Sequence, residues 1–148
     1  MISTRGRYSV RILLDLAENS KNSSLVPMKD VSKRQSVSLK YIERIMPALK
    51  EGGLVESNPG TNGGYRLART PDRITLWDIL ILAEGELAPV SCLQKGAAAC
   101  DRASVCPTLP VWSDYYMLTK NYFSSITLAD LMNGYGSSKA DGGKTDGR

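Results

Sequence analysis

The chain has 148 residues, a net charge of +4 and a hydrophobic content of 42%. That length allows one domain with a real core, or one domain and an arm, and no apolar run approaches the roughly 20 residues that span a bilayer. The charge is uneven: residues 1–76 hold 13 Lys/Arg against 7 Asp/Glu, a net of +6, whereas residues 77–148 hold 6 against 8, a net of −2. A basic N-terminal half suits a phosphate-facing surface, although a solvated basic face has the same composition. The chain has no histidine and no Ser/Lys or paired-carboxylate constellation, so no catalytic site is expected. The residues after Met1 lack an apolar signal core, and an odd number of cysteines argues against a secreted disulfide frame. The expected compartment is the cytoplasm, where thiols stay reduced.

Apolar periodicity predicts a first helix from about Thr4 to Asn19, with Tyr8, Val10, Ile12, Leu13, Leu14, Leu16 and Ala17 on a broad face. A polar loop, 19–24, follows, and Pro27 opens a second helix from Met28 to about Arg34. Ser36-Val37-Ser38 is a short break; Ser38 is a good N-cap for a third helix, Leu39 to about Glu51. Leu39, Ile42, Ile45, Met46 and Leu49 share one face of it, while Lys40, Tyr41, Glu43 and Arg44 face away or lie at the border. Pro47 removes a backbone donor and predicts a local bend or a less regular second half. Gly52-Gly53 reads as its C-cap.

Leu54–Ser57 and Tyr65–Ala68 read as two short strands joined by Asn58-Pro59-Gly60-Thr61-Asn62-Gly63-Gly64, whose Pro-Gly and Asn-Gly signals mark a hairpin. Two helices at a short turn followed by a hairpin describe a winged helix-turn-helix, so the fold class is mainly α with a small β-hairpin wing. Beyond it, Thr75 caps a helix running to about Gly85, and a loop spans about 88–108. A long amphipathic helix then runs from about Pro110 to Ser125, with Val111, Tyr115, Leu118 and Tyr122 beside a stripe of Trp112, Tyr116, Thr119 and Phe123. Thr127 to Met132 is a last short helix, and the Gly-, Ser-, Lys- and Asp-rich residues 133–148 are expected to be a disordered tail.

A recognition helix presents its N-terminal residues to base edges. Here these are Ser38, Lys40, Tyr41 and Arg44; Arg44 suits guanine, and Ser38 and Lys40 suit phosphates. Thr4, Arg5, Arg7, Met28 and Lys29 flank them. The wing tip, Gly60, Thr61 and Asn62 with Tyr65 behind it, suits a minor groove; it carries no Lys or Arg, so its contacts would be polar and through the backbone. An exposed polar helix and a plain hairpin loop remain the simpler readings of both elements. Cys92, Cys100 and Cys106, the only cysteines, are spaced C-x7-C-x5-C in a stretch of small residues. That spacing is neither the Cys-x2-Cys of zinc sites nor a ferredoxin run. A soft metal centre, a redox pair such as Cys100–Cys106, and incidental thiols all stay open.

Taken in order, the segments Ser3–Tyr8, Leu14–Ala17, Ser38–Glu43, Gly52–Val55, Gly63–Leu67, three cysteines before Trp112, and Ile126–Leu131 resemble the Rrf-two family of winged-helix repressors. Within that family they are most similar to the IscR-like iron–sulfur cluster regulators, over about residues 2–132. The resemblance implies a homodimer joined through the long helix and binding a double-stranded DNA operator, without a membrane. It implies a recognition helix of Ser38 to Lys50, with Glu43 at a position linked to DNA discrimination. It also implies an iron–sulfur cluster on Cys92, Cys100 and Cys106, 2Fe–2S in preference to 4Fe–4S, and cluster-assembly machinery as a possible partner. The implied targets are genes of cluster biogenesis or of iron and redox stress. The domains would then be a DNA-binding unit, 1–76, a unit of linker helix, cysteine loop and dimerisation helix, 77–132, and the tail.

Two departures matter. The histidine that IscR-like proteins carry three residues after the third cysteine is Leu109 here, and the aspartate that other relatives use early in helix one is Tyr8. The fourth ligand is open among Asp101, Asp114, Asp15 of either subunit, or an exogenous thiol or water. The Arg-Gly usual in the wing is Pro59-Gly60. The alternative function is a cluster-free repressor answering to thiol redox state or a metabolite. A small electron carrier is disfavoured because the thiols stand beside a DNA-binding half.

Overall fold

The computed structural model describes residues 1–136, so most of the expected disordered tail lies outside the described residues. Among the described residues there are six α-helices, α1 (Thr4–Asn19), α2 (Met28–Gln35), α3 (Leu39–Glu51), α4 (Leu76–Glu84), α5 (Leu109–Ser124) and α6 (Leu128–Met132), and one antiparallel hairpin between α3 and α4, β1 (Val55–Asn58) and β2 (Gly64–Leu67). The fold is a winged helix-turn-helix with a long helical arm, as the periodicity predicts. Among the described residues no helix is long and apolar enough to cross a membrane.

Local chemistry accounts for the boundaries. Ser3 caps α1 by accepting from the Gly6 amide, and Ser38 caps α3 by accepting from the Tyr41 amide at 3.2 Å. Ser36, in the left-handed region at φ 53°, ends α2, and Ser32 Oγ donates to the Val37 carbonyl at 2.6 Å to close the turn. Pro47 does not interrupt α3, which runs unbroken to Glu51; Pro47 is exposed, on the side where water can reach the carbonyl it leaves unpaired. After Glu51 the Gly53 amide donates to Lys50 O and the Leu54 amide to Leu49 O, both at 3.0 Å. This paired closure needs the left-handed φ of 74° at Gly53. Thr75 with Asp78, and Thr127 with Asp130, form reciprocal capping boxes at the starts of α4 and α6.

The core is built from Ile12, Leu13 and Leu16 of α1, Ile42, Ile45, Met46 and Leu49 of α3, and Val31 of α2. It is closed from the far end of the chain: the Leu76 amide donates to Ile126 O at 2.8 Å and the Leu128 amide to Ile74 O at 2.9 Å. Ile74, Ile79, Ile126 and Leu128 are all buried, so the core draws on both sides of position 76. The wing is stitched to the α1–α2 link by reciprocal bonds between Val26 and Tyr65, at 2.8 and 2.9 Å. A side chain at Gly64 would collide with the Val26 carbonyl there.

Among the described residues one charged group is interred. Asp15, 2% exposed, accepts from Arg34 Nη2 at 2.7 Å, Arg34 Nε at 3.0 Å and Gln35 Nε2 at 2.8 Å. Hydrogen bonds to a charged partner contribute more than neutral ones, but the Arg34 side chain is 38% exposed, which screens part of the pair. Asp15→Ala is expected to lower the unfolding free energy by about 2 kcal/mol. Urea titration followed by circular dichroism measures it; a change under about 0.5 kcal/mol, the range of ordinary surface substitutions, would show that the pair does not hold α2 to α1.

Candidate DNA-binding face and thiol loop

α2, the Ser36–Ser38 turn and α3 form the helix-turn-helix. Lys40, Glu43 and Arg44 are exposed on α3, and Lys29 is exposed at the start of α2. Thr4, Arg5 and Arg7 are exposed on the first turn of α1, where Arg7 Nη2 donates to Thr4 Oγ1 at 3.4 Å. Gly60, Thr61 and Asn62 are exposed at the wing tip. Three other expected contact residues are partly committed to packing: Met28, Tyr41 and Tyr65 lie half-buried against the core. Tyr41 meets the ring of Tyr8 edge-on, centroids 5.7 Å apart. Ser38 Oγ serves as the α3 cap as well as facing outward.

Two cations outside the expected contact residues stand beside this face. Lys50 Nζ donates to Ser57 Oγ at 2.6 Å, and Arg66 pairs with Glu56 at 3.1 Å while donating to Ser23 O at 3.2 Å. They line a groove of about 590 Å³ between the end of α3 and the wing. The signal was present: Arg66 stands opposite Glu56 in the hairpin register.

The second candidate region joins α4 to α5. Its start is gathered by one carboxylate: Glu86 Oε1 accepts from the amides of Leu87 and Ala88, both at 2.8 Å, and Oε2 from the Lys95 amide at 3.0 Å. Those amides, that of Lys95 foremost, hold the Glu86 carboxyl below its usual range. The bracketed segment carries Cys92 on a short turn, Ser91–Leu93. Cys92 and Cys100 are exposed, Cys106 is half-buried, and all three are free thiols. Cys106 Sγ lies 3.4 Å from Thr108 Oγ1, beside the first turn of α5. The Thr108 hydroxyl, then the amides of Thr108 and Leu109, lower the Cys106 pKa by favouring the thiolate.

The loop keeps the three thiols on one segment but does not draw them together. Among the described residues no group of three or more His, Cys, Asp or Glu side chains lies close enough to hold a metal ion. The donor set itself fits a soft centre, since three thiolates are what an iron–sulfur cluster takes. Of the oxygen ligands considered from sequence, Asp15 is committed to Arg34 and Gln35 beneath the helix-turn-helix, whereas Asp101 and Asp114 are exposed. Leu109 begins α5 and is half-buried.

α5 itself has no buried residue. Val111, Tyr115, Leu118 and Tyr122 are more than half exposed, at 56%, 56%, 69% and 53%. Tyr115, Leu118 and Tyr122, with Met1 and Phe123, border an apolar groove of about 940 Å³ that reaches the start of the thiol loop. The inner side of α5 rests on α4 through Tyr116 and Trp77, ring centroids 6.0 Å apart.

A helix-turn-helix with an exposed basic reading helix and a wing defines a DNA-binding transcription regulator. Residues 2–134 match the Rrf2 family, described as an iron-dependent transcriptional regulator, and the chain belongs to that family. It is 35% identical to the protein rrf2 of Nitratidesulfovibrio vulgaris over 88% of this chain and 86% of that one. It is 33% identical to the HTH-type transcriptional regulator IscR of Cronobacter sakazakii, over 89% of this chain and 80% of that one. The structure of CymR (YrzC), the global cysteine regulator of B. subtilis, superposes with a TM-score of 0.70 at 31% identity, covering 88% of this chain and 95% of that one. These relatives are transcription regulators and not enzymes.

A depressed thiol pKa has a direct readout. The thiolate of folded Cys106 persists to lower pH than in the unfolded chain, where the ordinary value of about 8.5 applies. The pH midpoint for alkylation of Cys106 by iodoacetamide, followed by mass spectrometry, is therefore expected to lie lower in the native than in the urea-unfolded protein. Equal midpoints would remove the Thr108 and helix-start contacts as a cause.

Proposed function

We propose that this regulator is a homodimeric repressor, working in the cytoplasm, whose grip on its operator is set by an iron–sulfur cluster on Cys92, Cys100 and Cys106, with 2Fe–2S preferred to 4Fe–4S. The observation that carries the reading is that the chain's only thiols are all free and all lie on the one loop between α4 and α5. The family's iron-dependent description and the likeness to IscR support it. When bound, the cluster supplies a centre that responds to iron supply and oxidants. The protein's own part is mechanical. Glu86 gathers the first half of the loop, Cys106 stands at the foot of α5, and α4 packs on α1, which in turn supports α3 through Tyr8 and Tyr41. Ordering the loop would thus bias α5 against α1 and alter the separation of two recognition helices, which must be roughly 34 Å for half-sites one turn apart. Genes of cluster assembly and of iron or redox stress are the proposed targets, with the assembly machinery as cluster donor.

The exposed face of α5 supports the dimer: apolar patches of this kind mark interfaces, and a two-fold pairing covers both copies at once. Leu118→Glu is expected to convert a dimer to a monomer in light scattering and to weaken operator binding at least about tenfold, because a monomer engages one half-site. A dimer that survives the substitution would move the interface elsewhere.

The cluster is tested by anaerobic purification with a visible spectrum and iron and sulfide counts. Visible bands with near-equal iron and sulfide, lost in Cys92→Ala, Cys100→Ala or Cys106→Ala, are expected. A colourless protein with three titratable thiols after reconstitution would favour a second reading, a thiol-responsive repressor. The lowered pKa of Cys106 and the likeness to CymR support that alternative.

A further inference from the structure

Arg11 is exposed on α1, yet its guanidinium is held at three points, all within the protein. Its carbon sits 5.2 Å over the centre of the Tyr8 ring. Its Nε donates to Gln35 Oε1 at 3.2 Å, and its Nη2 donates to the Gln35 carbonyl. Gln35 is the last residue of α2, so this carbonyl belongs to the orphan set at a helix end, where a cation is also favoured by the helix dipole. Gln35 in turn donates through Nε2 to buried Asp15 at 2.8 Å. On the other side, the Tyr8 ring that Arg11 covers is the one on which Tyr41, in the first turn of α3, rests edge-on.

One guanidinium therefore touches both sides of the turn: the end of α2 directly, and the start of α3 through Tyr8. We propose that Arg11 is a positioning residue that sets the angle of α3, and so the sequence preference of the regulator, without itself contacting DNA. The proposal rests on α3 being the element that reads the groove. The physical reason is a difference in tolerance. A bidentate hydrogen bond to a base edge fails when the helix shifts slightly, whereas attraction to phosphates depends on charge and distance and survives. Lysine cannot replace the device, since its single ammonium lacks the planar fork that bonds Gln35 twice while stacking on Tyr8.

The test uses the full-length protein and two duplexes: a palindrome selected by wild-type protein from a randomised pool, and a shuffled sequence of equal length. Arg11→Met and Arg11→Lys are both expected to lower the preference for the selected duplex about tenfold, the scale of one lost base contact. Affinity for the shuffled duplex and the salt dependence should stay within twofold of wild type. Gln35→Ala should produce much the same loss, and adding it to Arg11→Met should cost little more, as expected of residues acting through one another. Three results would overturn the proposal: a salt slope lowered by about 0.9 in Arg11→Met and restored in Arg11→Lys, which marks a phosphate contact; equal loss on both duplexes with a lowered melting temperature, which marks plain destabilisation; or unchanged preference. Arg44→Ala separates this from the underlying reading. If Arg44→Ala keeps full preference, α3 is not the reading element and the failure lies there.

Discussion

The buried carboxylate of Asp15 is the constraint on which the DNA-binding end depends. An ionised group nearly out of water is costly unless its lone pairs are filled. Arg34 and Gln35, at the end of α2, fill them together with the amide of Asn19, at 3.4 Å. No side-chain polar atom among the buried described residues is left without a partner. The consequence is geometric. α2 cannot slide on α1 without stranding the charge, and the three-residue turn that follows leaves α3 little freedom. α3 thus inherits its direction from an ion pair between α1 and α2.

A second constraint acts on the rest of the chain. Ile74–Leu76 and Ile126–Leu128 pair as short extended segments, and they bury Ile74 and Leu128 in the helix-turn-helix core. Everything between them, α4, the thiol loop and α5, is an excursion that starts and ends on the same domain. The coupling proposed between this loop and the DNA-binding face would run through those two attachments. Its two anchors rest on the core that also supports α1 and α3. α5 is tied down at its ends and packs on α4 through Tyr116 and Trp77, which leaves Val111, Tyr115 and Leu118 exposed on its outer side.

The thiol loop shows a different balance. Glu86 orders the segment around Cys92, and Thr108 orders the surroundings of Cys106, but the stretch containing Cys100 is held by turn hydrogen bonds alone. A loop anchored at both ends and loose in the middle has low local stability, the property expected of segments that respond to a bound group or to oxidation.

The sequence alone was enough for the elements. Caps at Ser38 and Thr75, the Gly52-Gly53 stop and the two apolar periods act within a few residues, so helix and strand identities and the winged architecture could be read directly, to within a residue or two. The candidates Lys40, Glu43 and Arg44 and the three cysteines were legible for the same reason: chemistry and spacing are local. What tertiary packing decided was the use of those residues. Tyr41 and Tyr65 became partly structural because helix docking turned them toward the core. Asp15 was withdrawn from metal ligation because α2 brought Arg34 and Gln35 to it across 19 and 20 positions. Arg11, Gln35 and Glu86 escaped notice because their partners, the end of another helix or the amides of a folded loop, do not exist until the chain has closed. Short-range patterns record what a segment prefers; only the docking of distant segments determines which polar groups lose water and must find one another.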